Sequence, residues 1–424
     1  MPDVGFTNLL AVLAIALAAP LLLGFAPAVR VPAVVLEIVA GIVLGPSVLG
    51  WIEPDLVVRI VALLGLAFLL FLAGLEIDVR RLRGRLLRAA LIGYVITLAV
   101  GLAAGAGFSA AGWLDSPLLL AITLSATSLG LVVPVLKDAG QADTSLGQTT
   151  IAASSVADFA AVLLLSLLFS TMGEASTGSR LVLLGMFAAL VVLTGVLVGV
   201  SGRSMRLGGV LVRLQDTTAE IRIRAAVLLL IAFVVLAERF GLESILGAFL
   251  AGAVVGLLDA DNSSHPHFRV KLEAIGFGFL IPVFFVSSGL RLDIRGLIEG
   301  PSALLRVPLF LLALLAARGL PAVLYVPTVG RRPAFAAALL QATSLPFIVT
   351  ATQIGVQVGV IEPVTAAALV CAGLLSVLIF PATALSLVRR AAPADTGAEQ
   401  QEPAELDSSG KPKEGGPTIS APQP

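Results

Sequence analysis

The chain has one cysteine, Cys371, among 424 residues, and only two histidines, two tryptophans and two tyrosines. A lone thiol excludes an intrachain disulfide framework. With two histidines it also leaves too few soft ligands for a zinc site. Charge is scarce as well, since 13% of the residues are Asp, Glu, Lys or Arg, against about 25% in soluble domains. The 27 basic and 27 acidic residues cancel, which removes the electrostatic basis for nucleic-acid binding. What is abundant is apolar: 58% of the chain is hydrophobic, with 42 glycines and 24 prolines. A soluble protein so composed would have to coat its surface with aliphatic side chains. The composition points to a polytopic membrane protein, and no cofactor is expected.

A helix needs about 20 apolar residues to cross the hydrocarbon core. Charged and Gly/Pro-rich breaks divide the chain into apolar segments near 6–25, 32–50, 56–75, 88–108, 117–136, 146–170, 180–201, 222–240, 243–258, 269–290, 303–327, 333–354 and 363–388. These are thirteen predicted helices, with only Gly241–Leu242 and nearby charges dividing the eighth from the ninth. The segments lack the alternation that barrel strands require. The first segment has neither a basic flank nor a small-residue cleavage site, so it reads as a helix rather than a signal peptide. Residues 391–424 are rich in Pro, Gly, Ser and Glu. They are expected to form a disordered cytoplasmic tail, too short for a soluble regulatory domain.

Basic residues set orientation. In a thirteen-helix arrangement one set of loops carries 18 of them, including the cluster Arg80, Arg81, Arg83, Arg85 and Arg88, and the other set carries six. That bias predicts an N-terminus outside and a C-terminus in the cytoplasm, in a multi-pass protein of the plasma (inner) membrane.

Three stretches recur in order. Gly74-Leu-Glu-Ile-Asp-Val-Arg80 matches Gly289-Leu-Arg-Leu-Asp-Ile-Arg295 at an offset of 215, and Leu124-Ser-Ala-Thr-Ser-Leu129 matches Leu340-Gln-Ala-Thr-Ser-Leu345 at 216. Earlier, Ala40-Gly41-x-x-x-Gly45 matches Ala251-Gly252-x-x-x-Gly256 at 211. Collinear matches at a nearly constant offset predict repeats over about 32–170 and 243–388, within a membrane domain spanning 1–390. Paired segments are seven helices apart. Seven is odd, so the copies enter the membrane in opposite directions, as in secondary transporters with a site between inverted repeats.

Polar residues concentrate in the paired fifth and twelfth segments: Thr123, Ser125, Thr127 and Ser128, then Pro134; and Gln341, Thr343 and Ser344, then Pro346. A proline frees a carbonyl one turn back, which lipid cannot satisfy. Two broken helices lining a cation path are therefore predicted; the plainer alternative is hydroxyls bonding back to their own helices at two kinks.

Asp158 sits in the middle of the sixth segment, where a carboxylate faces the bundle interior or a wet cavity. Ser154 and Ser155, four and three residues earlier, share its helix face. With Thr127 they make an oxygen-rich candidate site for Na+ or K+ and for H+, with Asp158 the metal ligand. Arg318 is the one basic residue deep in a span; it either pairs with a carboxylate or binds freed carbonyls, compensating charge at the site. Glu37 and Glu76 lie nearer segment ends and are candidates for ion access, although Glu76 could equally snorkel to Arg80. His265 and His267 flank Pro266 in a loop and are either solvated or pH-sensing.

The stretches 65–83 (GLAFLLFLAGLEIDVRRLR), 124–138 (LSATSLGLVVPVLKD), 247–256 (GAFLAGAVVG) and 271–293 (KLEAIGFGFLIPVFFVSSGLRLD) resemble monovalent cation:proton antiporters of the Kef-type (sodium/hydrogen exchanger) branch, from about residue 30 to 388. The resemblance implies thirteen helices in a dimerisation part and a core part, a homodimer in membrane lipid, and a crossed pair of broken helices. It also implies that Asp158 is the ion-binding carboxylate and Arg318 the basic residue of the antepenultimate helix. The chain departs from the pattern twice. Ala157 stands where the family usually has a polar or acidic residue, and the cytoplasmic nucleotide-binding domain that potassium-efflux members often carry is not expected here. With one carboxylate at that spot, one-for-one electroneutral exchange is expected.

Other classes fit less well. A channel would use the same polar helices without rocking repeats. A sodium-coupled symporter for an organic anion needs more polar groups at the midplane than these spans offer. A membrane enzyme needs more nucleophiles, histidines or carboxylates, and a sensor needs an output domain.

Overall fold

The computed structural model describes residues 5–25, 32–76, 84–168, 220–258 and 266–389, with isolated positions between 182 and 192. Among the described residues every element is helical and there is no strand. In chain order these are α1 (Thr7–Phe25), α2 (Ala33–Leu44), α3 (Leu56–Leu75), α4 (Gly84–Ala110), α5 (Pro117–Ser125), α6 (Leu129–Asp138) and α7 (Ser145–Leu168). There follow α8 (Ile221–Arg239), α9 (Ser244–Leu258), α10 (Pro266–Ile275), α11 (Ile281–Leu290), α12 (Ile294–Glu299) and α13 (Pro301–Gly319). The last are α14 (Val326–Val329), α15 (Arg331–Gln341), α16 (Pro346–Gln357) and α17 (Pro363–Arg389). Among the described residues eight spans are long and apolar enough to cross a membrane, or nine if α15 and α16, bent by 41°, are taken together. Most of the predicted seventh segment, the tail at 391–424, His265 and Arg80 lie outside the described residues, as does the side chain of His267.

Local chemistry explains the ends. Asp55 caps α3 by accepting the Val58 N–H at 2.9 Å, and Ser116 caps α5 by accepting the Leu119 N–H at 3.2 Å. The segment predicted at 32–50 is shorter as a helix, because Pro46 excludes helical backbone at the residue before it; Gly45 is extended, with ψ 178°. The tenth segment is not one regular helix either. Between α10 and α11 the chain makes a π-helical turn over Gly276–Leu280, directly before Pro282, whose missing N–H a wider turn tolerates. Pro321 likewise converts the end of the eleventh segment into a 3-10 turn over Leu320–Tyr325. The eighth and ninth segments are distinct helices, α8 and α9, joined through Gly241 at φ 68°.

Glycines let the helices approach at backbone distance. A Cβ added at Gly41 of α2 would collide with the Val286 carbonyl of α11, and one at Gly289 of α11 with the Ile38 carbonyl of α2. The pair α9 and α3 repeats this arrangement: Gly252 abuts the Phe71 carbonyl, and Gly74 the Phe249 carbonyl. Two bulkier neighbours, Leu290 at Gly45 and Leu75 at Gly256, close the ends of the two contacts. Small residues are what permit such packing where lipid provides no hydrophobic drive between helices. Gly41→Val and Gly252→Val should each reduce stability by about 1–3 kcal/mol, while Gly107→Val, with open space around its Cα, should be near neutral. Thermal melts of the detergent-solubilised variants check this, and indistinguishable melting of all three would contradict it.

Candidate functional site

The fifth and twelfth segments are both broken. Helix α5 stops at Ser125, residues 126–128 run extended (Ala126 φ −81°, ψ 157°), and α6 begins at Leu129. Helix α15 stops at Gln341, and α16 begins with Pro346 in its first turn, where a missing N–H is harmless. Pro134 does not make the first break, contrary to expectation. It lies inside α6, exposed and beyond the interruption, so the extended residues 126–128 rather than a proline end that helix.

Each break leaves backbone groups without helical partners, and each supplies the other's. The Ser128 N–H donates to the Thr343 carbonyl at 2.9 Å, the Thr127 hydroxyl to the Gln341 carbonyl at 2.7 Å, and the Leu345 N–H to Ser128 Oγ at 3.1 Å. Residues 125–128 and 341–345 are all buried, so these bonds are made where water cannot replace them.

Two charged side chains complete the crossing. From α7, Asp158 Oδ1 accepts the Thr127 N–H at 2.7 Å, at the N-terminal end of α6, where the helix dipole favours a negative group. From the last turn of α13, Arg318, 2% exposed, donates from Nε (3.0 Å) and Nη2 (2.5 Å) to Thr127 Oγ1. It also donates from Nε to the Gln341 carbonyl at 3.3 Å and from Nη1 to Thr97 Oγ1 at 3.5 Å. Of the two roles open to it, Arg318 takes the second, binding the carbonyl freed at a break; among the described residues it forms no ion pair within 4 Å. Thr127 therefore stands between the two charges, its N–H on the carboxylate and its hydroxyl on the guanidinium.

Asp158 also opens onto a cavity of about 310 Å³, whose walls include Thr127 to Leu131, Pro346 and aromatic side chains such as Phe249 and Phe285. Glu37, near the start of α2, and Glu76, just past the end of α3, line the same space. Glu37 is 5% exposed, and Glu76 Oε2 is buried without a hydrogen-bond partner. The helices bring three carboxylates, far apart in sequence, to one mostly apolar chamber.

Other candidates behave differently. Ser155 bonds back to the Ile151 carbonyl at 2.9 Å, and the buried Ser154 hydroxyl has no partner; neither lines the cavity. Ser125 and Thr343 bond back to Ile122 and Leu339. Ser344 is held by its backbone, its N–H donating to Ser376 Oγ at 3.2 Å. Ser376, Thr97 and Tyr94, whose hydroxyl lies 3.1 Å from Ser125 Oγ, belong to this neighbourhood and were not among the sequence candidates. Ser376 carried no repeat signal, because the offset of 216 that pairs Thr127 with Thr343 pairs Asp158 with Leu374.

Comparison with known proteins adds three observations. The profile of the family described as "Sodium/hydrogen exchanger, transmembrane" matches residues 13–389. A Bacillus subtilis (strain 168) protein, YjbQ, is 33% identical over 405 residues, covering 92% of this chain; the chain spans 64% of that relative's length. An Enterococcus hirae Na(+)/H(+) antiporter is 31% identical over 266 residues, which is 62% of this chain and 67% of that protein. In structure, the fold is similar to that of the sodium proton antiporter MjNhaP1 from Methanocaldococcus jannaschii at pH 8, with a TM-score of 0.65 and 17% identity over 91% of this chain and 98% of that one.

The Thr127 bridge is testable apart from any activity. Thr127→Val keeps the side-chain shape but removes the acceptor of two guanidinium bonds, and should lower stability by about 1.5–3 kcal/mol. Thr127→Ser should lose much less. Equal thermal stability of the Val and Ser variants would contradict the bridge.

Proposed function

The chain belongs to the transmembrane sodium/hydrogen exchanger family, and from that premise we propose that it exchanges a monovalent cation, Na+ or K+, for H+ across the membrane. One observation carries the reading: Asp158 accepts the Thr127 N–H at a helix break and lines the chamber shared with Glu37 and Glu76. In this mechanism the Asp158 carboxylate holds either a proton or a cation, never both. A hard cation takes oxygen ligands, and the chamber offers Glu76 as the second carboxylate; Glu37, lining the same space, adds negative potential that attracts the cation. Arg318 keeps its charge throughout. It holds the breaks together and leaves Asp158 as the group whose occupancy changes.

The transporter architecture is part of the proposal: thirteen helices, inverted repeats, a homodimer in membrane lipid of the plasma (inner) membrane, an N-terminus outside and a cytoplasmic C-terminus. Support for the repeats comes from the glycine contacts. Gly41 on Val286 becomes Gly252 on Phe71 when 211 is added to one residue and 215 subtracted from the other, and Gly289 on Ile38 becomes Gly74 on Phe249 in the same way. Gly45 against Leu290 maps onto Gly256 against Leu75. Three contacts related by two fixed offsets favour duplicated scaffolds over coincidence. The chamber then corresponds to one of two alternating access routes.

Asp158→Asn should abolish cation-driven pH changes in everted vesicles; activity surviving that change would sink the mechanism. Glu76→Gln should raise the cation concentration for half-maximal exchange several-fold while retaining most of the maximal rate. With Ala157 in place of a second acid, exchange should be electroneutral, so a steady current after a cation jump in proteoliposomes would contradict one-for-one stoichiometry.

A further inference from the structure

The two repeats share a backbone plan but differ in charge at corresponding positions. Glu76 is the first residue beyond α3, after Leu75, which packs on Gly256; Arg291 is the first residue beyond α11, after Leu290, which packs on Gly45. The two are 215 apart, the offset of the surrounding motif. Asp158 accepts the Thr127 N–H beside one break, and Ser376 accepts the Ser344 N–H beside the other. Glu37, at the offset of its own helix, corresponds to the buried Ala248. At the offset of 216 Asp158 corresponds to Leu374, so where the chamber has three carboxylates the related positions hold an alanine, an arginine and a leucine.

Arg291 lies at the opposite end of the helices from the chamber mouth. Helix α2 begins beside Glu37 and ends at Gly45 against Leu290, so Arg291 and Glu76 belong to opposite membrane faces. Arg291 is exposed, and its side chain has no hydrogen bond or ion pair among the described residues. Arg59 stands near enough to repel it. Arg295, one turn on, donates to the Ser47 carbonyl at 2.7 Å. Asp55 caps α3 at Val58 and accepts the Asn8 amide, and Asp293 caps α12 at Gly296.

We propose that Arg291 sets the sidedness of the exchanger, holding cation affinity at its own face below that of the Glu37–Glu76 face. In the alternating-access scheme the second route opens on the face that carries Arg291, and a positive charge there repels an entering cation and speeds the departure of a bound one. The chamber face loads the cation, and the Arg291 face releases it. The inference rests on the antiport reading and on alternating access.

The test compares the two faces in inside-out and right-side-out vesicles, titrating Na+ and, separately, K+. Wild type should show a higher KM at the Arg291 face. Arg291→Ala and Arg291→Gln should lower that KM roughly three- to tenfold, leave the KM at the chamber face unchanged, and alter the maximal rate little. Arg291→Lys should retain wild-type asymmetry, and added choline chloride should shrink it in wild type by screening. A KM shifted equally at both faces, or an unshifted KM with exchange intact, overturns the inference alone. Wild type with no exchange of either cation overturns the antiport reading as well. If the Ala and Gln variants fail to fold, the salt dependence in wild type decides: asymmetry insensitive to choline chloride rules Arg291 out.

Discussion

The structure depends on buried backbone that no helix can satisfy. Residues 126–128 and 342–345 interrupt two helices inside an apolar bundle, where an unmet N–H or carbonyl is worth several kcal/mol in the unfavourable direction. Neither break is tolerable alone. Set across one another, they trade partners through Ser128, Thr343, Leu345 and Gln341. The Ser344 N–H goes to Ser376 Oγ, and the two deep charges serve the rest: Asp158 takes the Thr127 N–H, and Arg318 shares the Gln341 carbonyl with the Thr127 hydroxyl. The charges are where they are because the backbone requires an acceptor at one point and a donor at another.

This requirement also bears on how closely the surrounding helices pack. Crossed, non-helical backbone fixes its partners only if the surrounding helices hold their spacing. The glycine contacts between α2 and α11 and between α3 and α9 bring those helices to backbone distance, where sliding meets carbonyl oxygens rather than yielding side chains. The chamber forms between these packed helices and the breaks, with Glu37 from α2 and Glu76 from the end of α3 joining Asp158 of α7.

Much of this was legible in the sequence, for physical reasons that differ by residue. Asp158 and Arg318 stood out because charge in an apolar span has few explanations. The second break announced itself through Pro346 at the start of a helix. The first did not, since Pro134 is the more visible residue yet sits harmlessly in α6; the real interruption at 126–128 is a choice of backbone conformation that no single residue type dictates. Helical periodicity placed Ser154 and Ser155 on the face of Asp158, but periodicity knows nothing of competing acceptors, and Ser155 bonds to its own helix instead. Glu37 and Glu76 looked peripheral because they are near segment ends. Sequence spacing could not reveal that one helix begins and another ends at the same chamber.

Ala157 shows how a missing group shapes those that remain. It is fully buried, in the same apolar cluster as Tyr94, Tyr325 and Ala337. A carboxylate there would need a partner, and Arg318 would be the charge within the neighbourhood able to serve. With alanine present, Arg318 is instead satisfied by neutral oxygens: two hydroxyls and one carbonyl. Neutral acceptors do not change charge when an ion binds or leaves. On the proposed mechanism the oxygens that meet the guanidinium keep the same charge whichever ion Asp158 holds, so the crossing it braces can stay intact through the exchange.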